Sequence, residues 1–411
     1  MSVKNMVPEI RFKGYSGEWK NKKIGDILAE IKRPIELMDN TSYQLVTVKR
    51  RNEGVVPRAV LKGKNILVKN YFIVRAGDYL ISKRQVVHGA NGIVPDNLDG
   101  AVVSNEYLVI TDSDDITAKY WTVSSIRPEM HKLFFVSSYG VDIEKLVFDV
   151  ADWKNRTIVI PQITEQKSIT DYFSKLDNLI NQHHQMHNKL SKIKEAMLEK
   201  MFPRKGEAIP EIRFKGYSGE WSNNPIAEIC DATFGGGTPS TNEKCFWQGD
   251  IPWIQSSDLR DGCVSSVTAK KYITKAAINK SAAKLVSGNS IAIVTRVGVG
   301  KLSLMKNEYA TSQDFLSLSD LKVDAQFSAY AIWKLLQTEK DQVQGTSIKG
   351  ITKEELLSKT ITFPKSKLEQ AQIGNYFQKL DELLNLHQQQ ITKLNNIKQA
   401  CLSKMFYREC T

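Results

Sequence analysis

The sequence predicts an α/β (α+β) protein: two mixed α/β domains and two long helices that pair with each other, in a pseudo-circular chain. Three observations carry this. The run from Pro8 to Trp19 (Pro-Glu-Ile-Arg-Phe-Lys-Gly-Tyr-Ser-Gly-Glu-Trp) recurs unchanged from Pro210 to Trp221. The offset is close to half of the 411 residues, so the chain is a tandem duplication. Each copy ends in a long stretch with apolar residues at helical spacing, and the middles carry short strand-like runs set off by turn residues.

The order along the chain follows. Residues 1–19 form an N-terminal arm, 20–161 a first mixed domain and 162–203 a first long helix. Residues 204–221 are a linker and the repeated arm, 222–364 a second mixed domain and 365–407 a second long helix. The copies also match at Glu165-Gln166 and Glu369-Gln370, at Tyr172-Phe173 and Tyr376-Phe377, and at Lys200-Met201-Phe202 and Lys404-Met405-Phe406. Since the first helix is followed by the Pro210 arm, the Pro8 arm is expected beside the end of the second helix.

In the mixed domains, Gly77-Asp78-Tyr79-Leu80-Ile81-Ser82-Lys83 and Gly288-Asn289-Ser290-Ile291-Ala292-Ile293-Val294 each read as a turn followed by a strand. Val103 to Ile110 parallels Thr311 to Leu318, so the two domains are expected to share a fold and differ in surface residues. Pro161 and Pro364 mark where each domain ends and its helix begins.

The helices show one narrow apolar stripe. It runs through Ile169, Phe173, Leu176, Leu179, His183, Met186, Leu190, Ile193 and Met197 in the first copy. In the second it runs through Ile373, Phe377, Leu380, Leu383, His387, Gln390, Leu394, Ile397 and Cys401. Such a stripe reads as a coiled-coil seam rather than the wide face of a core helix. The seam positions singled out are Phe173, Leu176, Leu190, Ile193, Phe377, Leu380, Leu394 and Ile397. A helix of roughly 37 residues is about 55 Å long and needs a partner, which the other copy supplies.

Composition narrows the function. The formal net charge of +12 favours a polyanionic partner, most often nucleic acid. No apolar run approaches a membrane span, and the N-terminus lacks a signal-peptide core. The five cysteines all lie in the second half, with none in a C-x-x-C pair, which fits a reducing cytoplasm better than a disulfide or zinc scaffold. His183, His184 and His187 have metal-compatible spacing, but a histidine in a seam more often sets register, and no metal is expected.

Catalytic signatures are missing. There is no phosphate loop, and Gly235-Gly236-Gly237 and Gly298-Val299-Gly300 are too short for a dinucleotide fingerprint. The Asn/Asp-Pro-Pro-aromatic tetrapeptide with which amino-methyltransferases grip a flipped base is absent. The positive signal is basic residues interleaved with polar ones in loops. The first domain has Lys49, Arg50, Arg51, Lys83, Arg84, Gln85, His88 and Asn91. The second has Thr238, Ser240, Gln255, Ser256, Lys270, Lys271, Arg296 and Lys301. Lysine and arginine neutralise phosphates, while arginine, glutamine and asparagine can also read base edges. Asn105 and Gln313 align across the copies and suit either adenine reading or, with slightly more weight, closure of a buried turn.

Taken together, these features resemble the DNA-specificity (S) subunits of Type I restriction-modification enzymes. The match rests on the order of variable middle and long helix, twice over. It rests also on Gly236-Gly237-Thr238-Pro239-Ser240, on Trp247-Gln248-Gly249-Asp250-Ile251-Pro252-Trp253-Ile254 with Asp258-Leu259, and on the Glu165-Gln166 to Asp177 segment and its copy. The first middle lacks the glycine-threonine and tryptophan runs. The resemblance implies two target-recognition domains on an antiparallel, pseudo-two-fold coiled-coil spacer, each domain reading half of a split DNA sequence. It implies a non-catalytic chain without cofactors, partnered by two modification subunits that bind S-adenosylmethionine and two restriction subunits that use ATP. The repeated arms, through Phe12, Tyr15, Trp19, Phe214, Tyr217 and Trp221, are then expected to dock those partners. The alternatives are a methyltransferase or nuclease chain in its own right, which the missing motifs oppose, and a protein-binding scaffold, which DNA affinity would separate.

Overall fold

The structure, a computed structural model, describes residues 6–67, 70–265, 267–342 and 350–407. The chain divides into two compact units, residues 1–182 with 391–411, and residues 183–390.

In the first unit, strand Lys20–Lys23 follows the arm and pairs antiparallel with Thr157–Ile160, the strand just before the first long helix. The domain's two ends are thereby zipped together. Between them lies a four-stranded antiparallel sheet, ordered Ala29–Glu30, Tyr107–Thr111, Tyr79–Ser82, Asn91–Ile93. A five-stranded sheet is ordered Pro34–Ile35, Tyr71–Ile73, Val102–Ser104, Ser42–Val48, Val55–Lys62. Tyr79–Ser82 is buried along its whole length, as its unbroken apolar run demands.

The second unit repeats the plan. Ser222–Pro225 pairs antiparallel with Thr360–Phe363. The four-stranded sheet has the same order and sense: Cys230–Gly235, Phe315–Leu321, Ser290–Val294, Leu302–Met305. Its second sheet differs, with three strands ordered Lys271–Ile273, Ile251–Ile254, Ala310–Thr311. A helix at Ala325–Gln342 covers the sheet; the first unit has Ala118–Ser125 there, ended by the Arg127-Pro128 step that starts a second helix.

Each long helix, Ile163–Lys200 and Lys367–Lys404, is fastened at its start by the repeated Glu-Gln dipeptide. The Gln166 amide donates to the carbonyls of Asp115 and Pro161 and accepts from the Thr117 amide. Gln370 likewise donates to the Pro364 carbonyl and accepts from the Asp324 amide. Glu165 and Glu369 are each 1% exposed and take a bidentate pair from an arm arginine, at 2.7 and 2.6 Å from Arg11 and at 2.6 and 2.8 Å from Arg213. In the first unit the arm also lies on the end of the second helix, where the Ile10 amide donates to the Lys404 carbonyl. The Ile212 amide donates to Lys200 in the same way in the second unit.

The helix segments run antiparallel within each unit. In the first, the Tyr172 hydroxyl meets the Cys401 thiol at 3.6 Å and Asp177 meets Lys398 at 2.5 Å. In the second, His183 Nδ1 lies 2.9 Å from His387 Nδ1, and Lys194 pairs with Asp381. The two histidines are one repeat position meeting its own copy. His387 has its proton affinity lowered by burial and by His183 and His187.

The narrow-seam expectation needs correction. Phe173, Leu176, Leu394 and Ile397 belong to the first unit's main core, together with sheet residues such as Ile81 and Ile110. Leu190, Ile193, Phe377 and Leu380 belong to the second unit's core, with Ile291 and Leu318. These segments thus present a wide face to a domain. Leu179, Met186 and Leu383, expected in the stripe, are exposed, whereas Ile180 and Ile391 on the same helices are buried. Gly374 has its own reason: a Cβ there would come within 2.8 Å of the Phe327 amide nitrogen, so the helix could not approach its neighbour so closely with a side chain.

Among the described residues no helix is long and apolar enough to cross a membrane. Cys230, Cys245, Cys263 and Cys401 are free thiols, and Cys410 lies outside the described residues.

One pair tests this packing. The side chains of Lys194 and Asp381 are 7% and 4% exposed, and Asp381 also accepts from the Tyr330 hydroxyl at 2.7 Å. The copied pair, Lys398 and Asp177, is 20% and 46% exposed. Asp381→Ala should cost about 3–5 kcal/mol, since it strands a buried ammonium, while Asp177→Ala should cost at most about 1 kcal/mol. Urea denaturation of the two variants gives the comparison, and equal losses would contradict the asymmetry.

Candidate nucleic-acid interface

In the first unit the basic loops, far apart in sequence, meet at one end of the four-stranded sheet. The hairpin joining Ser42–Val48 to Val55–Lys62 turns through left-handed backbone at Arg51 and Asn52 (φ 60° and 57°). Its amides at Arg51 and Asn52 donate to the carbonyls of His88 and Gly89, at 2.7 and 2.8 Å. Close approach is required, because a Cβ on Gly92 would sit 2.8 Å from the Gly54 Cα. Lys49 to Arg51 are thereby brought against Lys83 to His88.

Most of the side chains there are already partnered, while Arg51 is exposed. Arg50 donates through Nε to Gln85 at 2.8 Å and through Nη2 to Glu144 at 2.7 Å. His88 Nε2 lies 3.6 Å from Glu144. Lys49 lies 3.6 Å from Glu53. The Lys83 ammonium donates to the Asn105 carbonyl at 2.7 Å. Arg84 donates to Glu106 at 2.8 Å, which raises its proton affinity above the ordinary guanidinium value. Asn91, expected at the interface, is instead buried in strand Asn91–Ile93 and is removed from the candidate set: its period-two neighbours turn it inward.

In the second unit the Gly-Gly-Thr-Pro-Ser run threads a tight passage. A Cβ on Gly236 would lie 1.8 Å from the Ser312 carbonyl oxygen, and one on Gly237 would lie 2.3 Å from Ala282. The Trp253 indole donates to the Gly237 carbonyl at 2.9 Å and the Trp247 indole to the Ser240 carbonyl at 3.0 Å. Thr238 then donates to the Gln313 amide oxygen at 2.6 Å. Lys271 lies 5.5 Å from the ring centres of both Trp247 and Trp253. Gln255 and Ser256 begin a short turn whose Asp258 is buried, with Lys270 at 3.9 Å from that carboxylate. Ser256 abuts the Gly298 loop, Lys301 reaches Asp261 at 3.5 Å, and Ser240 and Arg296 are exposed.

Strand register equates the two rims. Ser82 pairs with Tyr107, and Val294 pairs with Phe315. Just beyond, the Lys83 amide donates to the Glu106 carbonyl and the Thr295 amide to the Asp314 carbonyl. Arg84 and Arg296 therefore hold one structural position, as do Asn105 and Gln313. Both amide residues are exposed, so neither closes a buried turn, contrary to the weighting above. The sequence candidates, basic and neutral polar residues, did not include Glu106, Glu144 or the segment carrying exposed Tyr139, Val141 and Ile143, because acids and apolar residues carry no phosphate-seeking signal. A positional signal was present for Glu106, which lies next to the aligned Asn105.

The arms hold a further correction. Trp19 and Trp221 are buried in their own units, edge-on to Phe406 and Phe202, so they cannot face a partner. Phe12 and Phe214 stack edge-on against Tyr172 and Tyr376, and all four of Phe12, Tyr15, Phe214 and Tyr217 stay partly exposed. Among the described residues no three or more His, Cys, Asp or Glu gather as a metal site.

A family model described as Type I restriction modification DNA specificity domain matches residues 16–192 and 218–396. The chain is 26% identical over 185 residues to the Type I restriction enzyme MjaIX specificity subunit of Methanocaldococcus jannaschii, covering 43% of this chain and 42% of that protein. It is 42% identical over 89 residues to the Type I restriction enzyme EcoR124I/EcoR124II specificity subunit of Escherichia coli, covering 21% of each. The aligned stretches therefore span less than half the length of these curated relatives. A solved Type-I restriction-modification system S subunit from M. genitalium matches with a TM-score of 0.64 at 13% identity, over 98% of this chain and all of that one, a likeness of fold.

Proposed function

The chain belongs to the Type I restriction modification DNA specificity domain family, and from that premise we propose that it is the sequence-specific DNA-binding subunit of a Type I restriction-modification complex. Each mixed domain reads one half of a bipartite, asymmetric target. The observation that carries this is the rim comparison: one sheet order and one strand register in both units, bearing different exposed side chains. Lys83-Arg84-Gln85 stands in the first where Thr295-Arg296-Val297 stands in the second. A shared frame with divergent edges suits two readers of two different short sequences. The paired long helices, each of 38 residues, set how many unread base pairs separate the half-sites.

The subunit does no chemistry of its own in this proposal. Two modification subunits supply S-adenosylmethionine-dependent adenine methylation, and two restriction subunits supply ATP-driven cleavage. The partly exposed arm residues Phe12, Tyr15, Phe214 and Tyr217, beside exposed Ile10 and Ile212, offer two like surfaces for two like partners.

Genome-wide mapping of methylated adenines, in cells with and without this chain, should reveal one split motif that depends on it. No dependent motif would remove the proposal. Deleting a heptad-scale block from one helix, with the matching block from the other, should change the gap between half-sites and leave both half-sites intact. A changed half-site would contradict the spacer role. Arg296→Ala should weaken reading of one half-site only, by about 1–3 kcal/mol for a base contact; equal loss at all sequences would make Arg296 a phosphate contact.

A further inference from the structure

We propose that Arg84 reads a guanine in the half-site of the first domain, and that Glu106 is the positioning residue that aims it. This rests on the DNA-binding reading above and deepens it. Glu106 Oε2 holds Arg84 through Nε alone, at 2.8 Å. Neither Nη1 nor Nη2 of Arg84 has a protein acceptor among the described residues, and the two side chains are 59% and 48% exposed. A guanidinium fixed through Nε points its terminal nitrogens away from the carboxylate, as a rigid two-pronged fork. That fork matches O6 and N7 on the major-groove edge of guanine.

The mounting is stiff. Arg84 and Glu106 each lie beyond a paired residue of adjoining strands, Ser82 opposite Tyr107. The backbones are joined again by the Lys83 amide on the Glu106 carbonyl, at 2.9 Å. Lys83 Nζ ties the intervening turn through the Asn105 carbonyl, and buried Val86 anchors the turn that follows. An ion pair this exposed adds little to folding. What it does supply is order before binding, which lowers the cost of immobilising a long side chain on DNA.

Arg50, Arg33 and Arg11 lack this geometry. Arg50 gives Nε to Gln85 and Nη2 to Glu144, so its fork is half occupied. Arg33 and Arg11 spend both prongs of a bidentate pair inside the protein, on Asp78 and Glu165. Arg296, at the matching rim position, has no such carboxylate partner among the described residues: Asp314 there accepts from the Ser312 hydroxyl at 3.3 Å. Among the described residues, then, a carboxylate holds the first rim's arginine and none holds the second's.

The test uses the chain assembled with its methyltransferase partners. Methylated motifs are mapped for the unaltered chain and for Arg84→Ala, Arg84→Lys and Glu106→Gln. Arg84→Ala should make one guanine position of one half-site degenerate, with guanine preference falling about 5- to 150-fold, the discrimination of one bidentate pair. Arg84→Lys keeps the charge and should degrade the same position. Glu106→Gln should loosen it partially. The other half-site should stay unchanged in all three, which also shows that the chain is folded. If Arg84→Ala abolishes methylation, binding of short duplexes with 7-deazaguanine at each guanine decides: one guanine whose N7 matters to the unaltered chain and not to the variant supports the proposal. A motif left intact while every site weakens equally makes Arg84 a phosphate contact and overturns the guanine assignment. An Arg84 effect that Glu106→Gln does not share overturns the positioning role. Absence of any split motif with the unaltered chain removes the DNA-specificity reading itself, a different result from either.

Discussion

The buried carboxylate at the head of each long helix is the constraint on which the rest hangs. Glu165 and Glu369 are almost fully out of water. A carboxylate there is tolerable only with a charged, well-aligned partner. The arm arginine is that partner, and to reach it the arm must lie across the helix. Docking the arm brings Trp19 or Trp221 down onto the phenylalanine at the far end of the other helix, Phe406 or Phe202. The neighbouring glutamine meanwhile holds the helix to its own domain through backbone groups that would otherwise be unsatisfied. Two adjacent residues therefore join arm, domain and helix.

One consequence concerns how the chain can be divided. The first unit includes residues 391–411, whose Phe406 completes its core and whose Lys404 carbonyl receives the arm. A cut between the two sequence copies would leave that core open and Glu165's surroundings incomplete. Duplication in sequence is thus not duplication of independent folding pieces. The ion pairs show how copies then drift. Counting from the backbone amide that each glutamine accepts, Thr117 and Asp324, Tyr330 corresponds to Val123. Tyr330 gives Asp381 a second hydrogen bond and covers Lys194, whereas valine has no hydroxyl to give Asp177. The same lysine–aspartate pair is consequently interior in one unit and superficial in the other.

Much of this was legible in the sequence. An identical repeat, a helical period sustained over about eight turns and a proline before each helix leave little choice of architecture. The turn-then-strand runs at Gly77 and Gly288 became central strands of matching sheets. What failed did so where burial depends on distant partners. A tryptophan repeated in both copies reads equally as a docking residue or a core residue until the helix end that covers it is known. Asn91 sits among basic loop residues in sequence, yet strand alternation turns it inward. The stripe of Phe173 and Leu176 gave the right period and the wrong width, because the domain that widens that face comes from elsewhere in the chain. At the interface, the basic loops were visible but their acids were not, since Glu144 lies far along the chain from Arg50.

Those acids change what the charge of +12 means. Lys49, Arg50 and Arg84, three of the exposed cations on this face, each have a glutamate at hand. Exposed pairs of this kind exchange readily with other anions, since each is worth little in water. A phosphate must nonetheless displace a carboxylate, and that carboxylate remains nearby to repel the backbone. In the proposed role, non-specific DNA affinity, which grows with the number of phosphates that lysine and arginine neutralise, is thereby held down on this face. A base edge faces no such competition at Arg84, because Glu106 occupies Nε and leaves the fork open. The arrangement favours contacts that depend on sequence over contacts that do not. Under the proposed function, the protein must find a few sites among very many, and it needs that ratio more than it needs tight binding as such.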